Sequence, residues 1–332
     1  MSTDFAPDRY TKMPYRRCGR SGLVLPPVSV GFWQSLGEVG MEDVCRKVCY
    51  AAFDAGITHF DLANNYGSPP GNSELVVGAI LKDMPRDELI ISTKAGFTMW
   101  SGPYGDWGSK KYLVASLDQS LKRLGLEYVD IFYHHRPDPN TPLEETMAAL
   151  DLIVKQGKAL YVGVSNYRGP EFCAAAETIR AHGWSPLTIH QPRYNMLDRW
   201  AEADLLAHTA RVGTGVIAFS PLAKGVLTGR YLNGLPADSR QGKQGAGRQW
   251  WDQQEAAGLW SKVRRLEALA RNRGLTMAQL ALVWLLRDPR VTSVLIGVSR
   301  LEQLQENIAA ATAPPLSNDE VAAIETILRN QA

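Results

Sequence analysis

Eight times along this chain a short apolar run gives way to a longer segment of helical period. No other feature of the sequence limits the fold as much. "PVSVGFW" (Pro27–Trp33) precedes a helix near Met41–Ala55, and "ITHFDL" precedes one starting about Asn72. "ELIISTKAG" is followed by Ser109–Arg123, "YVDIFYHH" by Pro142–Lys155, "ALYVGVSN" by Gly169–His182, and "LTIHQ" by about Trp200–Ala210. "TGVIAFSP" leads into a long connection and further helices, and "VTSVLIGVS" into Arg300–Ala311. Strands that alternate with helices in this way form a parallel sheet.

Such a sheet is either open and doubly wound or closed. An open one usually carries a Gly-rich phosphate loop after its first strand. Here that strand runs into "GFWQSLG", which is neither G-x-G-x-x-G nor a P-loop. Repeats without a central shift in composition favour the closed (β/α)8 TIM barrel as one domain over residues 1–332. "YRRCGRSGLVLPPV" reads as a hairpin plugging the barrel bottom, and "SNDEVAAIETIL" as a terminal helix N-capped by Ser317. Pro221–Ala257 lacks periodicity, as functional loops often do. Its Arg230, Arg240, Lys243 and Arg248, with Trp250 and Trp251, are candidates to clamp an anion.

Bulk properties exclude several function classes. The 332 residues are 45% hydrophobic, enough for a sizeable core. A net charge of +2 without like-charge blocks argues against nucleic acid or a membrane surface as partner. No apolar stretch reaches the roughly 20 residues of a spanning helix. The N-terminal stretch shows no apolar signal region, so a cytoplasmic protein is expected. Cys18, Cys45, Cys49 and Cys173 form no CxxC and read as reduced core thiols, without a metal site.

In a barrel of this type, chemistry sits where the strands end. The second strand ends at Asp61, with Tyr66 in the loop of "HFDLANNYG" and a Pro/Gly break, "SPPGN", behind it. A turn uses Asp and Asn for local hydrogen bonds, and a catalytic site uses an acid and a phenol for proton transfer. Lys94 closes the third strand. A lysine there loses hydration and needs a partner, which Asp61 on the next strand supplies. The ammonium is expected to lower the Tyr66 phenol pKa and make it a usable general acid. His134 and His135 end the fourth strand. Successive strand residues point to opposite faces, so one faces the mouth and the other the helix layer, and a shared metal is not expected. Ser165 and Asn166 end the fifth strand, His190 and Gln191 the sixth, "SPLAKG" follows the seventh and "GVSR" the eighth. There is no G-x-S-x-G and no pair of carboxylates at strand ends, which leaves out esterase and glycosidase chemistry.

The motifs "HFDLANNYG", "ISTKAG", "YVDIFYHHRPD", "YVGVSNY", "QPRYNML", "AFSPLAKGVLTGRY" and "IGVSRLEQLQENI", in this order, resemble the aldo-keto reductase superfamily from about Tyr15 to Asn307. The stretch from Ile91 to Tyr133 is similar to its bacterial L-glyceraldehyde-3-phosphate reductase branch, to which potassium-channel β-subunits are related. The resemblance implies NADPH-dependent reduction of a small-molecule carbonyl substrate. Its catalytic tetrad falls on Asp61, Tyr66, Lys94 and His135, the last because it precedes Arg136. It places Ser165, Asn166 and Gln191 at the nicotinamide carboxamide, with Phe219, or less directly Tyr194, near the ring. Ser220, Pro221, Leu222, Lys224, Gly225 and Arg230 match the pyrophosphate loop. Gly297, Ser299, Arg300, Gln303, Glu306 and Asn307 match the adenosine-phosphate end. Phe32, Trp33, Asp61 and Arg240 complete the cofactor set, and Trp33, Tyr66, Trp100 and His135 the substrate set, with Trp107 as a further wall. Lys110, Lys111 and Arg240 are candidates for a substrate phosphate. The same resemblance implies a homo-oligomer, a tetramer or octamer. A redox-sensing regulatory subunit is the alternative, which an intact tetrad disfavours. An isomerase or aldolase barrel without nicotinamide is the other rival.

Overall fold

The computed structural model describes residues 4–329 apart from 238, 240 and 244. Its centre is a closed parallel barrel of eight strands. They are β1 (Val28–Gly31), β2 (His59–Asp61), β3 (Ile90–Ala95), β4 (Val129–His134), β5 (Ala159–Ser165), β6 (Leu187–Gln191), β7 (Gly215–Phe219) and β8 (Val291–Ile296). Each pairs with the next in sequence, and β8 closes on β1. The helices between them are α1 (Glu42–Asp54), α2 (Asn72–Leu81), α3 (Lys110–Leu124), α4 (Leu143–Lys155), α5 (Gly169–His182), α6 (Leu206–Val212), α7 (Met277–Leu286) and α8 (Leu301–Ile308). The barrel expected from the alternating pattern is therefore present.

Local signals set these boundaries. Ser109 caps α3 by accepting the Tyr112 N–H at 3.2 Å, and Gly125 ends it in the left-handed region. The predicted Trp200–Ala210 helix is broken at Leu205 into Trp200–Asp204 and α6. The break follows Asp204, whose carboxylate accepts the Gly169 N–H at 3.0 Å and so caps α5 instead. Ser317 and Glu320 form the reciprocal cap expected for the terminal helix Asn318–Arg329.

The predicted hairpin pairs Arg16–Arg17 with Val24–Leu25. Its Cys18, Leu23 and Leu25 pack on Ile131, Tyr133, Ile189 and Ile217 inside the barrel, closing the end opposite the mouth. Burying a leucine of this kind contributes roughly 1.5–3 kcal/mol. Gly163 makes room for the Tyr133 ring: a Cβ there would lie 2.3 Å from the Ile189 carbonyl oxygen and 2.9 Å from Tyr133.

The long connection is less irregular than its sequence. It holds a 3₁₀ segment, Ala223–Thr228, and a helix, Gly247–Ala256. Trp250 and Trp251 pack into the fold in this structure. Trp251 stacks on Trp260 and donates to the Tyr231 carbonyl at 3.0 Å, and Trp250 packs edge-on to Tyr231 and Trp260. Apolar area decided their place, anchoring the segment to the helix Leu259–Asn272. Arg248 pairs with Asp252 on the same helix. Arg240 lies outside the described residues.

Candidate active site

Strain gathers where the strands end. Among the described residues, those other than glycine with positive φ are Gln34, Ser35, Trp107, Asn166, Ser220, Ala223 and Lys224, all in loops leaving β1, β3, β5 and β7. Such backbone costs about 1–3 kcal/mol per residue and persists mainly at functional sites.

Period-2 alternation turns Asp61 of β2 and Lys94 of β3 into the barrel. Both are fully buried, and Lys94 Nζ lies 2.5 Å from Asp61 Oδ2 and 2.5 Å from the Leu62 carbonyl oxygen. Asp61 Oδ1 also accepts from Ser92 Oγ at 2.6 Å and Gln191 Nε2 at 3.1 Å. The carboxylate is thus saturated with donors, as a buried charge requires. Lys94 Nζ sits 5.0 Å from the centre of the Tyr66 ring. The His135 ring is 5.9 Å from that of Tyr66, and Phe97 meets His135 edge-on at 4.8 Å. Gly96 permits this approach, since a Cβ there would lie 2.9 Å from His135 Cβ.

One electrostatic expectation is reversed. Burial pushes the Tyr66 phenol well above its usual value, and the charge of Asp61 pushes it the same way. Lys94 spends its charge on Asp61, so the pair gives the phenol little net positive field. The tyrosine keeps some open surface, and water there moderates the shift without changing its direction. In the ligand-free protein Tyr66 therefore holds its proton firmly. Burial, then Lys94, hold His135 well below the ordinary histidine range, so its imidazole is neutral. Its Nδ1 is buried without a partner. That is tolerable for a bare lone pair and costly for an N–H, so the ring proton belongs on Nε2. His134 faces the helix layer, 2.7 Å from the Tyr167 hydroxyl, as the alternation predicts for one of the two histidines.

Beside the four, Ser165 Oγ donates to the Gln191 carbonyl at 2.8 Å, and Asn166 Nδ2 donates to the His135 carbonyl at 2.9 Å. Trp33 is 46% exposed, with its ring 6.5 Å from that of Tyr66. Phe32 is fully buried edge-on to Phe60, so its side chain presents nothing to a ligand in this conformation. Tyr194 is likewise buried, its hydroxyl bonded to Glu202 and its ring packed on Trp284. Phe219 ends β7, and Ser220, Pro221, Leu222, Lys224 and Gly225 follow in a tight turn, left-handed at Ser220, Ala223, Lys224 and Gly225 and held by Asn195 on the Ser220 carbonyl. Arg230 is partly buried beyond it. Gly297, Ser299 and Arg300 lead into α8, which carries Gln303, Glu306 and Asn307. No side chain caps the first turn of α8, and Gln303 Oε1 folds back on the Ser299 N–H at 2.8 Å.

Trp100 tilts over Tyr112 under the loop after β3. Arg136 was missed from sequence. Its guanidinium lies 3.6 Å from the Trp107 ring centre and 4.2 Å from that of Phe97, and it donates to the Gly96 carbonyl and Asp106. It fastens that loop beside His135. Its place immediately after His135 was the available signal.

Among the described residues no cluster of metal-ligating side chains occurs, and no helix is long and apolar enough to cross a membrane. The aldo/keto reductase family model matches residues 27–329. The chain is 53% identical to the L-glyceraldehyde 3-phosphate reductase of Escherichia coli O157:H7, over 96% of this chain and 93% of that protein. Identity to the protein of the same name from Escherichia coli strain K12 is also 53%, with the same coverage. The chain therefore belongs to the aldo/keto reductase family and is an oxidoreductase.

Proposed function

We propose that this chain, acting as one barrel domain, is an NADPH-dependent reductase of small aldehydes and ketones, L-glyceraldehyde 3-phosphate and methylglyoxal among the candidates. The observation that carries this reading is the buried Asp61–Lys94 pair under Tyr66, with a neutral His135 against the same ring. The named activity of the relatives supports the substrate class.

The residues present fit a reduced nicotinamide dinucleotide. Ser165, Asn166 and Gln191 supply amide-reading groups beside His135. The left-handed turn Ser220–Gly225 and the uncapped start of α8 offer main-chain N–H groups to phosphates, with Ser299 and Arg300 at hand for a further one. When bound, the cofactor supplies a hydride to the carbonyl carbon. Tyr66 donates the proton taken up by the carbonyl oxygen. His135 Nε2–H orients that oxygen and stabilises its developing charge. Lys94, fixed by Asp61, lies beneath the phenol ring, and its ammonium offsets the Asp61 charge that would otherwise oppose the phenolate left after transfer.

A panel of aldehydes and ketones assayed with NADPH and with NADH tests the reading. Turnover of small aldehydes with a preference for NADPH is expected, and no turnover with either cofactor would remove it. The family resemblance extends the proposal to a cytoplasmic homo-oligomer, which sedimentation measures directly.

A further inference from the structure

The Asp61 carboxylate is the end of a longer buried chain. Ser293 Oγ of β8 lies 2.8 Å from Ser29 Oγ of β1. Ser29 Oγ lies 3.0 Å from His59 Nδ1, and His59 Nε2 lies 3.0 Å from Ser92 Oγ, which donates to Asp61. All five side chains are fully buried.

Hydrogen-bond bookkeeping allows one direction along this chain. Asp61, paired with Lys94, only accepts. Ser92 has one hydrogen and gives it to Asp61, so it must accept from His59, which places the imidazole proton on Nε2. A neutral His59 then accepts at Nδ1 from Ser29, and Ser29 accepts from Ser293. Every donor dipole points toward Asp61. Burial, with Lys94 adding to it, keeps His59 neutral by lowering its pKa to about 4, against the pull of Asp61.

A satisfied polar core would be the bland explanation, but isoleucines fill several neighbouring interior positions. Ile131 is the register partner of Ser92, and Ile189 and Ile217 fill β6 and β7. The serine–histidine chain lies on β8, β1, β2 and β3 and ends on Asp61.

We propose that His59 is a positioning residue: as the Nε2–H tautomer it relays the hydrogen bonds of β1 and β8 through Ser92 and so fixes the Asp61 carboxylate under Lys94 and Tyr66. This rests on the proposed function of that group as the acid machinery.

The test compares His59→Leu with His59→Gln, whose amide can both donate to Ser92 and accept from Ser29. Folding is checked by circular dichroism and cofactor binding by tryptophan quenching. His59→Leu should keep cofactor affinity within about two-fold and lose about ten-fold or more in kcat with little change in KM, the scale of one hydrogen bond tied to a charged group. His59→Gln should recover most of it. The alkaline limb of the kcat profile should also move in His59→Leu, because Asp61 and Lys94, the charged groups facing His59, lose their fixed geometry. If His59→Leu fails to fold, Ser92→Ala cuts the same link with less loss of volume and should show the same kcat defect. A folded His59→Leu or Ser92→Ala with parental kcat, or Leu and Gln variants that behave alike, would overturn the positioning role. Parental protein that reduces no carbonyl would instead overturn the functional reading on which it rests.

Discussion

Lowering the pH from neutral to about 5 should weaken this protein through its buried histidines, before its carboxylates titrate. His59, His134 and His190 are fully enclosed. Burial pushes the first two down to about 4 and His190 down to about 3. An unfolded histidine titrates near 6.5. Between those values the unfolded chain binds protons that the native protein refuses. The stability is therefore full above about pH 6.5 and is lost as pH falls toward 4. At about 1.4 kcal/mol per pH unit, each of these histidines costs roughly 2 kcal/mol by pH 5, the three together roughly 6 kcal/mol, and His135, also held low by burial, adds in the same direction. Against a typical total of about 5–15 kcal/mol, that is a large fraction. Asp130 acts in the opposite sense, because burial raises its carboxyl and the native state gains its proton earlier. Urea unfolding at fixed protein concentration from about pH 7 to pH 5 reads the effect as a falling midpoint. His190→Gln, which can keep the bond to the Tyr167 carbonyl, should remove one histidine's share, about a quarter of the slope. A midpoint unchanged over this range would refute the reasoning, since the buried rings would then be taking up protons without loss.

Three further outcomes follow from the site. Lys94→Met should cost about 3–5 kcal/mol, because Asp61 is left buried without its counter-charge, and should move the alkaline limb of the reduction profile to higher pH. An unchanged profile would separate Lys94 from the acid machinery. Arg300→Ala should raise the Kd for NADPH roughly 10- to 150-fold and leave NADH nearly unaffected, read by tryptophan quenching. Equal weakening of both would assign Arg300 to the adenosine or the loop. A triose phosphate should exceed its unphosphorylated analogue in kcat/KM by about ten-fold or more if one cation near the mouth contacts the phosphate. Equal values would retire that contact.

The barrel was legible because strand–helix alternation is a local pattern repeated along the whole chain, and it needs no knowledge of which strands face one another. Asp61 and Lys94 drew attention for a related reason, since ionisable groups at the ends of apolar strands stand out, whereas the choice of Tyr66 and of His135 over His134 came from the family resemblance. The chain Ser293–Ser29–His59–Ser92 was not. Its links cross between strands at one depth, and sequence shows alternation within a strand but not depth across neighbours. Isolated polar residues inside "VSVG", "HFD" and "IIST" were the trace it left. The phenol was misjudged because charge proximity can be guessed from sequence, whereas enclosure of Tyr66 and the saturation of Lys94 by Asp61 and Leu62 cannot. The packing of Trp250 and Trp251 on Tyr231 and Trp260 was not legible, because it is a matter of tertiary contact rather than pattern.

The most direct measurement follows deuterium from C4-deuterated NADPH into the product of a small aldehyde, for the parental protein and Tyr66→Phe. Label should appear on the carbinol carbon with the parental protein. The variant should bind NADPH normally and transfer label roughly 10²- to 10⁴-fold more slowly, the usual worth of a general acid. Absence of label in the parental product, or transfer by Tyr66→Phe at the parental rate, would contradict carbonyl reduction through this site.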